Sequence, residues 1–164
     1  MAQKDIRIHI ETVTYEVDAS LFGLGDVGED ELFDMFSDAS PEPEKMEMKT
    51  IGKFSVRDGR AEVSYEESEA TGMEGSSTSV SFDMTCPGIV TMVRKGMVSC
   101  ALVFERGKRH HCVYNTPYMP FEVCVNTFEV KNRIADTGVL ELDYVVEIRG
   151  ARAERTKFCM RIMD

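Results

Sequence analysis

The chain has 164 residues, of which 43% are hydrophobic and 29% are charged, as in an ordinary soluble globular protein. This length predicts one domain, residues 1–164. The net charge of −10 argues against a nucleic-acid partner, because the densest basic cluster is only Arg106, Lys108 and Arg109.

The lack of a recognisable targeting signal and the cysteine content predict a cytoplasmic protein. The N-terminus does not resemble a signal peptide, and no apolar run reaches the ~18 residues that a membrane helix needs. The five cysteines are odd in number and form no Cys-x-x-Cys pair, which is typical of reduced thiols. We therefore expect a cytoplasmic protein that does not associate with membranes.

The first strand is predicted where apolar and polar residues alternate from Ile6 to Ile10. The apolar positions then change phase over residues 13–17, which predicts a bulge near Glu11–Thr12 or a break into two strands. Residues 18–44 contain nine acidic residues and no Lys or Arg. They predict an acidic insertion at 18–45 with one short helix over 29–36, and they lack the calcium-loop signature.

Alternating segments follow each other to the end of the chain. They predict strands at 46–56, 61–66, 80–84, 89–95, 98–105, 109–115, 121–130, 140–148 and 157–162. Asp58-Gly59 predicts a type I′ turn, and Cys86-Pro87-Gly88 and Ala135–Gly138 predict further turns. About ten short strands without long crossovers indicate an all-β protein, most simply an antiparallel up-and-down barrel of about 8–10 strands.

Several strings in this order resemble a known family. They are Tyr-Glu-Glu-Ser-Glu-Ala-Thr-Gly-Met-Glu-Gly at 65–75, Val-Arg-Lys-Gly at 93–96, Leu-Val-Phe-Glu-Arg-Gly at 102–107, Thr-Pro-Tyr at 116–118 and Leu-Glu-Leu-Asp-Tyr at 140–144. The arrangement resembles the YwiB-like family of small bacterial proteins, a domain of unknown function. The resemblance implies a calycin-like (lipocalin-like) barrel and supplies no reaction.

The stretch 65–75 is the first candidate site, because it places several carboxylates beside two glycines. Its candidate ligand-binding residues are Tyr65, Glu67, Glu69, Met73 and Glu74. Adjacent residues of a strand point to opposite faces, so Glu67 shares the face of Tyr65 and Glu66 does not. A polar loop with solvated carboxylates is the simpler interpretation.

Arg94 and Lys95 form a second candidate group, because only one of two adjacent strand residues can enter the barrel. An inward Arg94 could pair with Glu67 or Glu105 and bind the polar end of a ligand. A solvated pair before the Gly96 turn explains the sequence equally well. Tyr118 could place a hydroxyl at an opening, although a rigid Thr-Pro-Tyr turn also accounts for it.

The histidines predict no metal site. His110 and Cys112 share a strand face, but no second ligand pair follows at a matching spacing. His9 lies on the polar side of the first strand, where a solvated histidine is expected. We therefore expect neither a metal nor a cofactor.

The leading functional hypothesis is a non-enzymatic barrel that binds a small apolar or amphipathic molecule in its interior. An acid–base enzyme using Glu67 or Glu69 with Arg94 is the second hypothesis. A third is a protein-interaction module in which the acidic residues 18–44 meet a basic partner. A homodimer is compatible with each of them.

Overall fold

The computed structural model describes residues 3–17, 43–67, 75–96, 99–117, 119–148 and 152–163. The described strands are β1 (Gln3–Val17), β2 (Glu44–Arg57), β3 (Arg60–Glu66), β4 (Ser77–Asp83), β5 (Cys86–Lys95), β6 (Cys100–Glu105), β7 (Arg109–Tyr114), β8 (Phe121–Arg133), β9 (Val139–Ile148) and β10 (Arg152–Met163). One short helix, α1 (Ile134–Thr137), lies between β8 and β9. The predicted all-β class is confirmed.

The ten strands form one antiparallel sheet in the order β6-β5-β4-β3-β2-β1-β10-β9-β8-β7. Its two ends meet where Ser99 and Asn115 exchange backbone hydrogen bonds of 2.9 Å in both directions. The sheet therefore curls into a nearly closed barrel, as predicted. Strands that are neighbours in sequence are mostly neighbours in the sheet, and β1 meets β10 because the chain returns to its start.

Strand β1 corrects one prediction. Its register with β2 runs without a shift from Gln3↔Ser55 to Thr14↔Glu44, and its register with β10 is equally regular. The predicted bulge or break near residues 11–12 is therefore wrong. The apolar residues at 13–17 change phase because the outer face of the neighbouring strands is also buried there. Ala153 of β10 is 0% exposed and Val145 of β9 is 1% exposed.

The turns agree with the sequence in part. Asp58 and Gly59 both have positive φ, 53° and 78°, which confirms the type I′ hairpin. The turn predicted at residues 86–88 lies instead at 84–85, where the Asp83 carboxylate accepts hydrogen bonds from the backbone N–H and the hydroxyl of Thr85. Strand β8 contains a register shift between Thr127 and Glu129, where its pairing with β9 is irregular.

The helix predicted over residues 29–36 lies outside the described residues, as does the rest of the acidic segment up to residue 42. Helix α1 occurs where the sequence predicts a turn. It is one turn long, ends at Gly138 with a φ of 74°, and buries only Ile134. Among the described residues, no helix is long and apolar enough to cross a membrane.

The core fills the barrel with the inward residues of every strand. Phe82, Phe104, Ile8, Leu140 and Met160 are among its largest fully buried side chains. Gly52 lets β2 and β3 approach this core closely, because a Cβ at residue 52 would overlap the Ser64 carbonyl oxygen and lie 2.5 Å from the Ile8 side chain. The strand pairing therefore presents one continuous inner face.

Candidate functional site

A row of inward residues crosses five neighbouring strands in register. The Cα partners are Gly52, Tyr65, Thr78, Arg94 and Cys100, on β2 to β6 in that order. We call these residues the Arg94 row. The next inward row along the same strands, Val63, Val80, Met92 and Leu102, is entirely apolar and buried. On these strands, polarity inside the barrel is therefore concentrated at the Arg94 row.

Arg94 and Glu67 meet inside the barrel. Glu67 follows β3 two residues after Tyr65, and its backbone N–H donates to the Ser76 carbonyl at 2.8 Å. Its carboxylate accepts a 2.6 Å hydrogen bond from the Thr78 hydroxyl. The nearest carboxylate oxygen lies 3.8 Å from Arg94 Nη2, and the two side chains are only 2% and 17% exposed.

Both charged groups are incompletely satisfied by the described residues. Charge-assisted N–H···O hydrogen bonds are about 2.7–2.9 Å long, so the 3.8 Å contact is not one. Arg94 Nε donates to Thr78 at a long 3.4 Å, and Nη2 donates to the Met92 sulfur at 3.9 Å. The second carboxylate oxygen of Glu67, Oε2, is buried without a described hydrogen-bond partner. Ion pairs this deep usually have ideal geometry, and this one does not.

Three tyrosine phenols lie within electrostatic range of the same guanidinium. Burial is the main cause that raises the pKa of Tyr65, Tyr114 and Tyr144 above the usual phenol value, and the charge of Glu67 raises that of Tyr65 further. The positive charge of Arg94 acts on all three phenols in the opposite direction. The phenols are therefore neutral at physiological pH and serve as hydrogen-bond donors or acceptors near one cation.

Two thiols line the same part of the interior. Burial raises the pKa of Cys100, while the Arg94 charge and a hydrogen bond with Tyr114 oppose the shift. Burial also raises the pKa of Cys112 to about 11, with a smaller contribution from Cys100. Both thiols are therefore protonated at neutral pH and are poor nucleophiles.

The structure brings together only some of the candidate site residues that the sequence suggested. Tyr65, Glu67 and Arg94 come together, whereas Lys95 is exposed on the outer face. Glu105 does not meet Arg94, because it alternates with the buried Phe104 and pairs with His110 at 3.2 Å. Its proposed role as a partner of Arg94 is therefore corrected. Glu69, Met73, Glu74 and Tyr118 lie outside the described residues.

Sequence reasoning missed Thr78, Tyr114 and Tyr144. The signal for Thr78 was present, because it is a polar residue in phase with the inward Val80 and Phe82. Tyr144 likewise continues the inward series of Leu140 and Leu142. Their meeting with Arg94 depends on strands far apart in sequence, which alternation cannot show.

Two cavities open on the outer wall of the barrel. One of about 380 Å³ lies over β2–β5 and is lined by Ile51, Glu62, Ser64, Ser79 and Lys95, among others. The other, of about 210 Å³, lies over β7–β9, where Arg109 contacts the Cys124 sulfur at 3.3 Å and Glu147 at 3.2 Å. Both lie on the outer side of the strands, whereas Arg94 and Glu67 lie on the inner face.

These features define an antiparallel β-barrel protein with a polar site at one end of an apolar interior. The chain belongs to the family described as a domain of unknown function, DUF1934, whose model matches residues 35–160. Its fold is similar to that of the crystal structure of the ywiB protein from Bacillus subtilis, with a TM-score of 0.66 and 16% sequence identity. The similarity covers 99% of this chain and 96% of that chain. No curated protein matches the sequence.

Proposed function

We propose that this barrel binds a small molecule with an anionic group and an apolar body, and that the anionic group lies against Arg94. The observation that carries the proposal is the Arg94 guanidinium, which lies inside the barrel and makes only long contacts with the described residues. A guanidinium has five N–H donors arranged to bind a carboxylate or phosphate through two parallel hydrogen bonds. A ligand anion would complete this set.

The surroundings of Arg94 suit such a ligand. The neutral phenols of Tyr65, Tyr114 and Tyr144 can donate to a ligand oxygen without adding charge. Because side chains fill the interior, the apolar body would have to displace part of the adjacent row, where Met92 is the flexible member. Its unbranched side chain can move aside at low cost, which makes methionine common in adaptable binding sites.

Tyrosine fluorescence provides a direct assay, because the chain has no Trp and three of its five Tyr lie within electrostatic range of Arg94. We would titrate the protein with octanoate and with octanol, which share an alkyl body and differ in charge. Octanoate should bind with roughly 10–100-fold higher affinity than octanol. This ratio corresponds to the free energy of about 1.5–3 kcal/mol that is expected for a hydrogen bond to a charged group.

The matched variants are Arg94→Met and Lys95→Met, which remove neighbouring positive charges on opposite faces of β5. Arg94→Met should abolish the preference for octanoate, and Lys95→Met should leave it unchanged. Equal losses in the two variants would show that only the general charge of the protein attracts the anion. If neither probe changes the tyrosine signal, the proposal is wrong.

A second function, acid–base catalysis, is favoured by one observation. One carboxylate oxygen of Glu67 is buried without a described hydrogen-bond partner. The other accepts a 2.6 Å hydrogen bond from Thr78 and lies 3.8 Å from the Arg94 guanidinium. In such an enzyme Arg94 would bind an anionic group of the substrate, and Glu67 would exchange a proton with another part of the same substrate.

This second function predicts catalysed proton exchange. The keto acid 4-oxopentanoate carries C–H bonds beside its carbonyl group, and their exchange with D₂O can be followed by NMR. The enzyme hypothesis expects the protein to accelerate the exchange and Glu67→Gln to stop it. An exchange rate equal to that of buffer, together with octanoate binding, would reject the enzyme and keep the binding protein.

A further inference from the structure

Three side chains that can bind a metal lie close together on the outer face of β1 and β2, whereas the Arg94 row lies on the inner face of the barrel. His9 and Glu11 alternate with the buried Ile8 and Ile10, so both point outward from the same face of β1. Glu47 is the direct register partner of Glu11 on β2. Regular strand pairing therefore holds the three side chains together without help from a loop.

Two of the distances between their ligand atoms match a tetrahedral metal site. His9 Nε2 lies 3.1 Å from Glu47 Oε1 and 3.5 Å from Glu11 Oε1. All three ligand atoms lie within 4.8 Å of one another. Ligands held about 2.0–2.1 Å from a tetrahedral Zn²⁺ ion are about 3.3–3.4 Å apart, so the three atoms need to move little to surround one.

The imidazole nitrogen is the second observation that points to a ligand. His9 Nε2 is buried, yet no hydrogen bond satisfies it among the described residues, because neither nearby carboxylate oxygen is aligned with it. The whole His9 side chain is only 14% exposed, whereas those of Glu11 and Glu47 are 48% and 59% exposed. A buried ring nitrogen without a partner is costly, and coordination of a cation would satisfy its lone pair.

The charges of the cluster also favour a dication. Glu11 and Glu47 are like charges directly opposite each other, an arrangement that destabilises a sheet unless a cation separates them. The described neighbour Lys49 compensates only weakly, since its ammonium lies 4.0 Å from Glu47 and its side chain is 70% exposed. A neutral imidazole and two carboxylates carry two negative charges, which one divalent ion balances.

We propose that His9, Glu11 and Glu47 bind one divalent transition-metal ion of the zinc type on the outer wall of the barrel. Nitrogen and carboxylate ligands suit Zn²⁺ better than the hard cations Ca²⁺ and Mg²⁺, which prefer oxygen ligands alone. The half-exposed glutamates leave a fourth position open to water or to a ligand from solution. This site replaces the expectation from the sequence that His9 is merely solvated, and it does not depend on the proposed function.

The experiment uses chelator-treated protein with Cys86→Ser, which removes an exposed thiol that could bind metal by itself. Zn²⁺ binding is measured by isothermal titration calorimetry, and Co²⁺ is added separately as a spectroscopic probe. We expect one Zn²⁺ per chain, a rise in the unfolding temperature with Zn²⁺ concentration, and the intense visible bands of tetrahedral Co²⁺. His9→Gln should lower the affinity by more than the roughly 10–100-fold that loss of an outer-shell partner causes.

His110→Gln is the matched control. His110 Nε2 hydrogen-bonds Glu105 Oε1 at 3.2 Å, a distance similar to that between His9 and Glu47, but no third ligand atom joins this pair in the described part of the chain. Its replacement should leave Zn²⁺ binding unchanged, and Glu47→Gln should weaken it. Non-saturable binding in the parent protein, or equal losses in His9→Gln and His110→Gln, would overturn the proposal.

Discussion

Two arginines in the described part of the chain are withdrawn from solvent, and their surroundings differ. Arg155 lies on the outer face of β10, where it is 4% exposed and donates two hydrogen bonds of 3.0 and 2.7 Å to the Asp143 carboxylate. Its guanidinium also lies 4.9 Å from the centre of the Phe128 ring. Arg94 lies on the inner face of β5 and has a carboxylate nearby, but the two groups do not hydrogen-bond.

The difference separates a structural charge from a charge available to a ligand. The planar fork of Arg155 matches the two carboxylate oxygens, so its strongest donors are already used. Arg94 has its donors in the interior of a barrel and its nearest carboxylate oxygen 3.8 Å away. Burial of a charge is expensive unless it is paired and hydrogen-bonded, so a pair held in poor geometry is more consistent with ligand binding than with stability.

The first prediction concerns the satisfied pair and has the largest expected effect. A double-mutant cycle with Arg155→Met and Asp143→Asn should give a coupling energy of about 3 kcal/mol, because removing one partner of a buried pair strands the other. The free energy of unfolding is measured with urea for the parent, both single variants and the double variant. A coupling energy near zero would show that the bidentate contact does not stabilise the fold, and the contrast with Arg94 would lose its basis.

The sequence could predict the inner face but not which residues meet on it. Alternation from Ala61 to Tyr65 extends to Glu67, and this assignment needs only local information. Arg94 and Lys95 could not be separated, because residues 89–93 of β5 are nearly all apolar and show no clear alternation. The register shift between Phe82 and Asp83 of β4 sets the phase of β5, and it depends on the pairing of these two strands.

Non-local pairing also explains the other failures. The sequence allowed Glu105 as a partner for Arg94. In the structure β6 places Phe104 inward, and Glu105 contacts His110 instead. The His9–Glu47 contact joins strands that are separated by residues 18–42, so no local spacing could reveal it. The sequence predicts the number and the faces of the strands well, because these depend on a two-residue period, whereas strand register depends on contacts across the whole barrel.

The second prediction concerns the phenols near Arg94. Their pKa values are raised in the folded protein, so below about pH 10 the folded and the unfolded chains both keep these protons. Above that pH the unfolded chain releases protons that the folded chain retains. The free energy of unfolding should therefore fall by about 1.4 kcal/mol per pH unit for each phenol, until the pH reaches the folded-state values.

Tyr65→Phe tests this prediction, because it removes one such phenol and keeps the ring. Between about pH 9 and pH 11 the free energy of unfolding, measured with urea, should fall by about 1.4 kcal/mol less in the variant than in the parent. Tyr144→Phe should reduce this fall by a similar amount. If neither replacement changes the slope, the phenols ionise equally easily in the folded and unfolded chains, and burial does not raise their pKa values.

The third prediction returns to Arg94 and is the smallest. A double-mutant cycle with Arg94→Met and Glu67→Gln should give a coupling energy of about 1 kcal/mol, well below that of Arg155 and Asp143, because no hydrogen bond joins the two groups. Lys95→Met is the control and should change the free energy of unfolding by less than about 0.5 kcal/mol. A coupling energy as large as that of the outer pair would make Arg94 a structural residue. When the cycle is repeated with saturating octanoate, the coupling should fall further, because the ligand carboxylate then takes the donors of Arg94 and replaces Glu67 as its main electrostatic partner.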